Sequence, residues 1–275
     1  MDYKFGPKNN WRRTVWNQIS VRLAVPARDA LVLYLAGKDD LDREIARRHG
    51  FRDENLLAIE TSPEVVSALR SKGVNCINGS LHELITSWSA TRPVDVVIAD
   101  FCNGFTSSNL DAIVFSCIWP AFHRAVIACN LLRGRDSETN PLRAHLEELL
   151  EREAVGTISR HRGKMLYAAV RLFLNQEFVD RLEAHGQMTA FDATKARHML
   201  HRVMAPHYYS YRSTKSQTFD SVVFTNPFRL AWDRSGSMGD AETLRKIDKG
   251  AVGVSDPAAR RRIAASMAHR TMRLK

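Results

Sequence analysis

Four apolar runs between residues 30 and 104 decide the fold of this chain: ALVLYLAG (30–37), NLLAIE (55–60), VNCI (74–77) and VDVVIAD (94–100). Each run is bounded by turn residues and is apolar at successive positions, which predicts strands buried on both faces. Helical segments separate the runs, with starts at Asp39 or Asp40, at Ser62-Pro63 and at the capping box Ser80–Glu83. Because repeated βα units require parallel strands with helices on the faces, the stretch predicts a doubly wound α/β sheet.

Two acidic residues end strands of this series. Glu60 closes the second run and Asp100 closes the fourth. Doubly wound sheets bind ligands beyond the carboxyl ends of their strands, at the point where the strand order reverses. A carboxylate after the second strand is typical of folds that hold the ribose hydroxyls of a nucleoside, so the pattern predicts an enzyme with a nucleoside cofactor. Asp100 is expected to face the same cleft, and the alternative is that it caps the next helix.

The rest of the chain extends this sheet. An apolar run at 125–132 predicts a fifth strand, and the runs at 207–213 and 219–225 predict a final pair. The segment at about 140–204 has the pattern of helices and exceeds what one crossover needs, which indicates a helical insertion that either recognises substrate or covers a sheet edge. The predicted organisation is a basic N-terminal helix at 1–28, an α/β domain at 29–228 and a basic C-terminal extension at 229–275.

Alternating βα units followed by a terminal strand pair resemble the class I S-adenosylmethionine-dependent methyltransferases, whose sheet order is 3-2-1-4-5-7-6 with strand seven antiparallel. The resemblance covers roughly residues 25–135 and 206–226. It implies a Rossmann-like, doubly wound, mostly parallel seven-stranded sheet and methyltransferase activity with S-adenosylmethionine as cofactor. The cofactor-binding residues that it implies are Ala36, Gly37 and Lys38 after strand one, Glu60 on the ribose, Ser80 and Leu81 at the adenine, and Asp100 and Phe101 after strand four. The family often carries catalytic residues in this last segment, and they correspond here to Asp100 and Asn103.

Two segments depart from the pattern of that family. The glycine-rich loop after strand one keeps one glycine, Gly37, which is followed by Lys38, Asp39 and Asp40. Carboxylates there would repel a pyrophosphate, which argues against a nicotinamide cofactor and fits a cationic sulfonium. After strand four, Asp-Phe-Cys-Asn at 100–103 replaces the Asn/Asp-Pro-Pro-Tyr of methyltransferases that modify bases, and it still offers hydrogen-bond acceptors beside an aromatic ring.

The positive charge of the chain is concentrated at its ends. The formal net charge is +10, and residues 1–28 hold six Lys or Arg against one acidic residue, while 229–275 hold eleven against five. The middle is therefore close to neutral, a distribution that indicates binding of a polyanion, DNA or RNA, by the termini. The candidate contacts are Arg12, Arg13, Arg260, Arg261, Arg262 and Arg270. One alternative is that the basic ends only keep the protein soluble. Another is that Trp11 and Trp16 dock the first helix on the sheet.

Composition argues against several classes of protein. No apolar run reaches the roughly 18 residues of a membrane span, and the first residues lack the apolar core of a signal peptide, so a cytoplasmic protein without membrane contact is expected. The four cysteines have no CxxC spacing and His198-x-x-His201 lacks further ligands, so no metal site is expected. The favoured function is methyl transfer from S-adenosylmethionine to a nucleic acid. The alternatives are a non-catalytic nucleic-acid-binding protein on a degenerate methyltransferase scaffold, which the missing glycines support, and a methyltransferase of a protein or small molecule.

Overall fold

The computed structural model describes residues 6–87, 93–101, 104, 106–118, 125–133, 161–171, 204–213 and 217–226. In chain order the helices are α1 (Pro7–Arg22), α2 (Leu41–Arg48), α3 (Pro63–Ser71), α4 (Leu81–Ser87), α5 (Ser107–Ile118) and α6 (162–171). The strands are β1 (Val32–Leu35), β2 (Leu56–Glu60), β3 (Cys76–Asn78), β4 (Val96–Asp100), β5 (Val126–Arg133), β6 (His207–Arg212) and β7 (Thr218–Thr225).

The described strands form one seven-stranded sheet in the order β3-β2-β1-β4-β5-β7-β6. Strands β1 to β5 are parallel, with Val32 of β1 in register with Leu56 on one side and Val96 on the other. Strand β7 runs antiparallel between β5 and β6. This is the order that the resemblance implied, so the prediction of a Rossmann-like, mostly parallel, seven-stranded sheet is confirmed.

Helices cover both faces of this sheet. Ile45 of α2 and Leu69 of α3 pack with α1 on one face. Ile85 of α4, Ile113 of α5 and Leu166 of α6 pack on the other. Because each face is buried under helices, the central strands need apolar side chains at successive positions, which explains why their sequences are continuous apolar runs.

Helix α1 belongs to the core of the domain. Trp11, Trp16 and Ile19 are at most 1% exposed. Trp11 stacks on Tyr211 of β6 with ring centroids 6.0 Å apart, and Trp16 meets the edge of Phe51 at 5.1 Å. The interpretation that the two tryptophans dock the helix on the sheet is therefore confirmed.

Helix α6 lies directly against β7. A Cβ added to Gly163 would lie 2.6 Å from the carbonyl oxygen of Ser221, so the two backbones are in close contact. At the same place the buried Asp220 accepts hydrogen bonds from the backbone N–H of Arg162 at 2.9 Å and from Nε of Arg133 at 2.8 Å. Residues 162–171 are helical, as predicted for this part of the insertion.

The helix starts follow the sequence signals at two of three sites. The Ser62 hydroxyl accepts an N–H of the first turn of α3. Ser80 and Glu83 form the predicted capping box, with Glu83 N donating to Ser80 Oγ at 3.1 Å and Ser80 N donating to Glu83 Oε2 at 2.9 Å. At α2 the prediction of a side-chain cap was wrong. Asp40 precedes the helix, but its backbone is left-handed, with φ 45°, where a capping residue is normally extended, and its carboxylate makes no cap bond.

Several predicted features lie outside the described residues. They are Asn103, most of the insertion at 140–204, and the extension at 229–275 with Arg260, Arg261, Arg262 and Arg270. Within the described part of the chain, no helix is long and apolar enough to cross a membrane.

Candidate cofactor and acceptor cleft

A cleft of about 670 Å³ opens where the carboxyl ends of β1, β2 and β4 meet the loop after β3. Its volume falls in the range of small-molecule sites, roughly 300–1,000 Å³. It lies where β1 has β2 on one side and β4 on the other, which is the switch point at which doubly wound sheets bind ligands. The wall includes all eight residues for which cofactor contact was implied: Ala36, Gly37, Lys38, Glu60, Ser80, Leu81, Asp100 and Phe101.

Glu60 ends β2 on this wall, and its carboxylate is held in place by the backbone that follows. Its Oε1 accepts hydrogen bonds from the N–H groups of Thr61 at 2.8 Å and Ser62 at 3.0 Å. Its Oε2 accepts no hydrogen bond from the described residues. A carboxylate fixed through one oxygen in this way can accept ligand hydroxyls with the other.

The loop after β3 forms the neighbouring part of the wall. Asn78 Nδ2 donates to the carbonyl oxygens of Glu60 and Thr61, both at 3.1 Å, and Gly79 N donates to the carbonyl of Glu60 at 3.0 Å. Gly79 has φ +156°, which L side chains rarely adopt. These bonds tie the loop to the end of β2, and Ser80 and Glu60 both line the cleft.

The loop after β1 has one open position and one buried carboxylate. A Cβ at Gly37 would meet no atom of the described residues within 4 Å apart from its chain neighbours, so the backbone there has room for a ligand. Asp40 is left-handed, with φ 45°, and its Oδ1 accepts the Tyr34 hydroxyl at 2.9 Å. Burial raises the pKa of Asp40 to about 6, while the Tyr34 hydrogen bond and Arg43 act in the opposite direction. Its buried Oδ2 has no partner among the described residues, which fits a ligand donor at this point.

Asp100 ends β4 and is held by partners on both oxygens. Its Oδ2 lies 2.7 Å from Nζ of Lys8 on α1, and the two side chains are 8% and 12% exposed. Its Oδ1 accepts from Asn130 Nδ2 at 2.7 Å, and Asn130 Oδ1 in turn accepts the Ser221 hydroxyl at 2.9 Å. The prediction that Asp100 faces the cleft is confirmed. The helix-cap alternative is wrong because α5 begins only at Ser107.

A second buried ion pair lies beside the first. Arg12 Nε donates to Asp42 Oδ2 at 3.1 Å, with each side chain 9% exposed, and Trp16 Nε1 donates to Asp42 Oδ1 at 3.0 Å. Burial raises the pKa of Asp42, and Arg12 acts against that shift. This arrangement corrects the prediction that Arg12 contacts nucleic acid, because its guanidinium pairs inside the protein. Its neighbour Arg13 is exposed.

Sequence reasoning missed Lys8, Arg12 and Asp42 as residues of this cleft. Lys8 is remote from Asp100 in the sequence, and the two meet because α1 packs on the sheet. The available signal was the spacing of the buried residues of α1, which marks a docked helical face: Trp11, Val15, Trp16 and Ile19.

Comparisons with known proteins concern the fold. No protein-family model matches the chain, and no curated protein matches its sequence. Similar solved structures include a SAM-dependent methyltransferase from Archaeoglobus fulgidus, at 9% identity and TM-score 0.39, covering 80% of this chain and 95% of that one. An O-methyltransferase from Bacillus cereus in complex with S-adenosylhomocysteine matches at 9% identity and TM-score 0.39, over 82% and 84%. A spermidine synthase from Thermotoga maritima matches at 11% identity and TM-score 0.38, over 77% and 60%.

Similarity at this level does not define a function, since a fold hosts many activities. The strand order of the sheet identifies the fold more directly. Five parallel strands in the order 3-2-1-4-5, completed by an antiparallel β7 between β5 and β6, give this chain the Rossmann-like fold of the class I S-adenosylmethionine-dependent methyltransferases.

Proposed function

We propose that this chain is an S-adenosylmethionine-dependent methyltransferase that acts on a nucleic acid, DNA or RNA. The observation that carries the proposal is the geometry of Glu60. It ends β2 on the wall of the cleft, with Oε1 held by two backbone N–H groups and Oε2 without a donor among the described residues. A ribose presents two adjacent hydroxyl donors, and an ionised carboxylate is the acceptor that binds them most strongly.

The other residues of the cleft fit the remaining parts of the cofactor. The backbone at Gly37 has room for the methionine chain, and Asp40, which lines the same cleft, would supply a carboxylate for its ammonium group. Leu81 and Phe101 supply apolar surface for the adenine ring. The bound cofactor would supply an electrophilic methyl group, and the contribution of the protein would be to position the acceptor in line with it.

The nucleic-acid partner is supported by the distribution of charge. The exposed Arg13 on α1 and the basic residues of 229–275 would contact phosphates, while the near-neutral body holds the cofactor. Arg12 is not among these phosphate contacts, because it is buried against Asp42. A cytoplasmic location is part of the proposal.

The test is incubation of the protein with methyl-labelled S-adenosylmethionine and either DNA or RNA. Label in the nucleic acid, together with binding that weakens steeply as salt rises, is the expected result. Salt-dependent binding without label would favour the non-catalytic alternative. Cofactor binding with no affinity for DNA or RNA would favour a protein or small-molecule acceptor.

A further inference from the structure

Strand β6 is an edge strand of the described sheet, and its Tyr208 packs against α6. We propose that Lys164, Arg171 and Tyr208 form a binding surface for single-stranded nucleic acid at this edge, in which the two cations contact phosphates and the Tyr208 ring stacks on a base. The inference rests on the nucleic-acid partner of the proposed function, and it adds a second contact surface to the basic ends of the chain.

Charge is divided unevenly between the two edges of the sheet. Elements α6, β6 and β7 together hold four basic residues and one acidic residue, Asp220. Residues 37–87, which include β2 and β3 at the opposite edge, hold nine acidic residues and seven basic ones. A body that is close to neutral overall therefore presents a positive edge, which attracts a polyanion to the β6 side.

The acidic residue of this edge does not face solvent. Asp220 is fully buried and accepts hydrogen bonds from Nε of Arg133 at 2.8 Å, Nη2 of Arg133 at 2.5 Å and the N–H of Arg162 at 2.9 Å. Lys164 is exposed and Arg171 is partly exposed, and neither pairs with an acidic side chain in the part of the chain that the structure describes. Both charges are therefore available to a ligand.

Tyr208 lies close to both cations. The rings of His161 and Tyr167 meet its ring at steep angles, with centroids 5.7 and 6.1 Å away. Lys164 Nζ lies over the ring, 5.6 Å from its centroid. Burial raises the pKa of Tyr208 to about 12, and the charge of the nearby Arg171 acts against that shift. An aromatic ring that is held in place beside cations suits a single strand, because unpaired bases expose their faces for stacking.

Packing alone does not account for Tyr208. Tyr211 on the same strand is 5% exposed, stacks on Phe219 with ring centroids 5.2 Å apart, and accepts a hydrogen bond from Asn130 at its hydroxyl. Tyr208 is partly exposed, and its hydroxyl makes no hydrogen bond within the described residues. A tyrosine that only fills a core buries its ring and satisfies its hydroxyl, as Tyr211 does. Tyr208 leaves both accessible to a ligand.

This surface is close enough to the cleft to act together with it. A line of residues in register connects Tyr208 with the position before Asp100 on the cleft wall: Val222, Cys129 and Ala99. Three strand spacings of about 4.8 Å separate the two ends of this line, which is about 14 Å along the sheet. A single strand bound at Tyr208 can therefore continue to the mouth of the cleft.

The test of stacking is fluorescence anisotropy of the full chain with labelled oligothymidylate or oligouridylate, and with a strand of equal length that lacks the bases. Tyr208→Leu is expected to weaken binding of the strand with bases about tenfold, the effect of one stacked base, and to leave the abasic strand unchanged. Tyr208→Phe keeps the ring and is expected to keep the affinity.

The test of the phosphate contacts is the salt dependence of the same binding. Lys164→Gln/Arg171→Gln is expected to reduce the slope of log binding constant against log salt concentration by about 1.4, at about 0.7 per phosphate on a single strand. Arg48→Gln/Arg52→Gln is the control, since it removes the same charge from exposed residues on α2 and in the loop before β2. The melting temperature and the S-adenosylhomocysteine affinity of each variant separate folding and cofactor binding from recognition.

The proposal is overturned if Tyr208→Leu, with an unchanged melting temperature, binds both strands like the unmodified chain, or if Lys164→Gln/Arg171→Gln keeps the salt slope. Preference for a duplex that is unaffected by Tyr208→Leu would also overturn it. If Tyr208→Leu does not fold, the variant of the two surface cations decides. Absence of any nucleic-acid binding by the unmodified chain would refute the partner in the proposed function as well. Binding with the expected variant effects but no methyl transfer would uphold this surface and refute the proposed catalysis.

Discussion

Replacing Arg12 by Met is expected to destabilise the protein and to leave its affinity for nucleic acid unchanged. Arg12 and Asp42 are each 9% exposed, and their Nε and Oδ2 atoms are 3.1 Å apart. Removing one partner of a buried pair leaves an uncompensated charge, which costs about 3–5 kcal/mol, whereas an exposed pair contributes only about 0.2–1 kcal/mol. Because Trp16 Nε1 still donates to Asp42, the lower end of the range, about 3 kcal/mol, is expected.

The assay is urea unfolding at pH 7.5 and pH 5. Burial raises the pKa of Asp42 in the folded protein, so the folded state binds the Asp42 proton more tightly than the unfolded chain does. The contribution of Asp42 to stability therefore falls as the pH rises above the pKa that Asp42 has in the unfolded chain. The loss caused by Arg12→Met is therefore expected to be smaller at pH 5. The double variant Arg12→Met/Asp42→Leu is expected to recover most of the stability, since no charge is left buried.

The exposed Arg13 provides the matched control. Arg13→Met should change the free energy of unfolding by no more than about 0.5 kcal/mol, while lowering nucleic-acid affinity at low salt. If Arg12→Met unfolds like the unmodified chain and weakens nucleic-acid binding instead, the buried pairing of Arg12 and the docked position of α1 are refuted.

Three further predictions test other parts of the structure. Affinity for S-adenosylmethionine, measured by calorimetry, should rise as the pH increases through about 6, because ionised Asp40 favours a cationic ligand. Asp40→Asn should remove this pH dependence, and a dependence that persists in the variant would show that Asp40 is not its source. In urea unfolding, Gly163→Ala should lower the free energy of unfolding by about 1–3 kcal/mol, since its Cβ would lie 2.6 Å from the Ser221 carbonyl oxygen. Gly37→Ala should cost far less, since its Cβ meets no atom of the described residues within 4 Å apart from its chain neighbours, and equal effects would contradict the α6–β7 contact. Deleting residues 255–275, which hold six basic residues and one acidic residue, should reduce the slope of log binding constant against log salt concentration by a few units, at about 0.9 per phosphate contact on DNA. An unchanged slope would place the phosphate contacts elsewhere.

The strands and helix starts were predictable because short stretches of sequence determine them. Apolar runs bounded by turn residues give the strands, and the signals at Ser62 and Ser80 give the helix starts. The strand order came from the resemblance, because nothing in a single strand states which neighbour it will pair with. Glu60 and Asp100 were found because strand ends in a parallel sheet share one edge.

The part of the site that α1 supplies was not predictable in the same way. Arg12 suggested a phosphate contact because it is basic and lies in the basic segment 1–28, and Lys8 was not singled out. Their real partners, Asp100 and Asp42, depend on how the helix packs on the sheet, and composition carries no information about that packing. Asp40 shows the same limit, since its left-handed backbone, which prevents the usual cap, is not evident from its residue type.

The most direct test of the account is calorimetric titration of S-adenosylmethionine and S-adenosylhomocysteine into the full chain and its Glu60→Ala variant. Both compounds are expected to bind the unmodified chain, and Glu60→Ala is expected to lose at least tenfold in affinity, since hydrogen bonds to a charged group contribute about 1.5–3 kcal/mol each. Glu54→Ala serves as the control, because Glu54 is exposed and lies outside the cleft. Absence of binding to the unmodified chain, or equal affinity for the Glu60→Ala variant with its fold intact by circular dichroism, would contradict the assignment of this cleft to the cofactor.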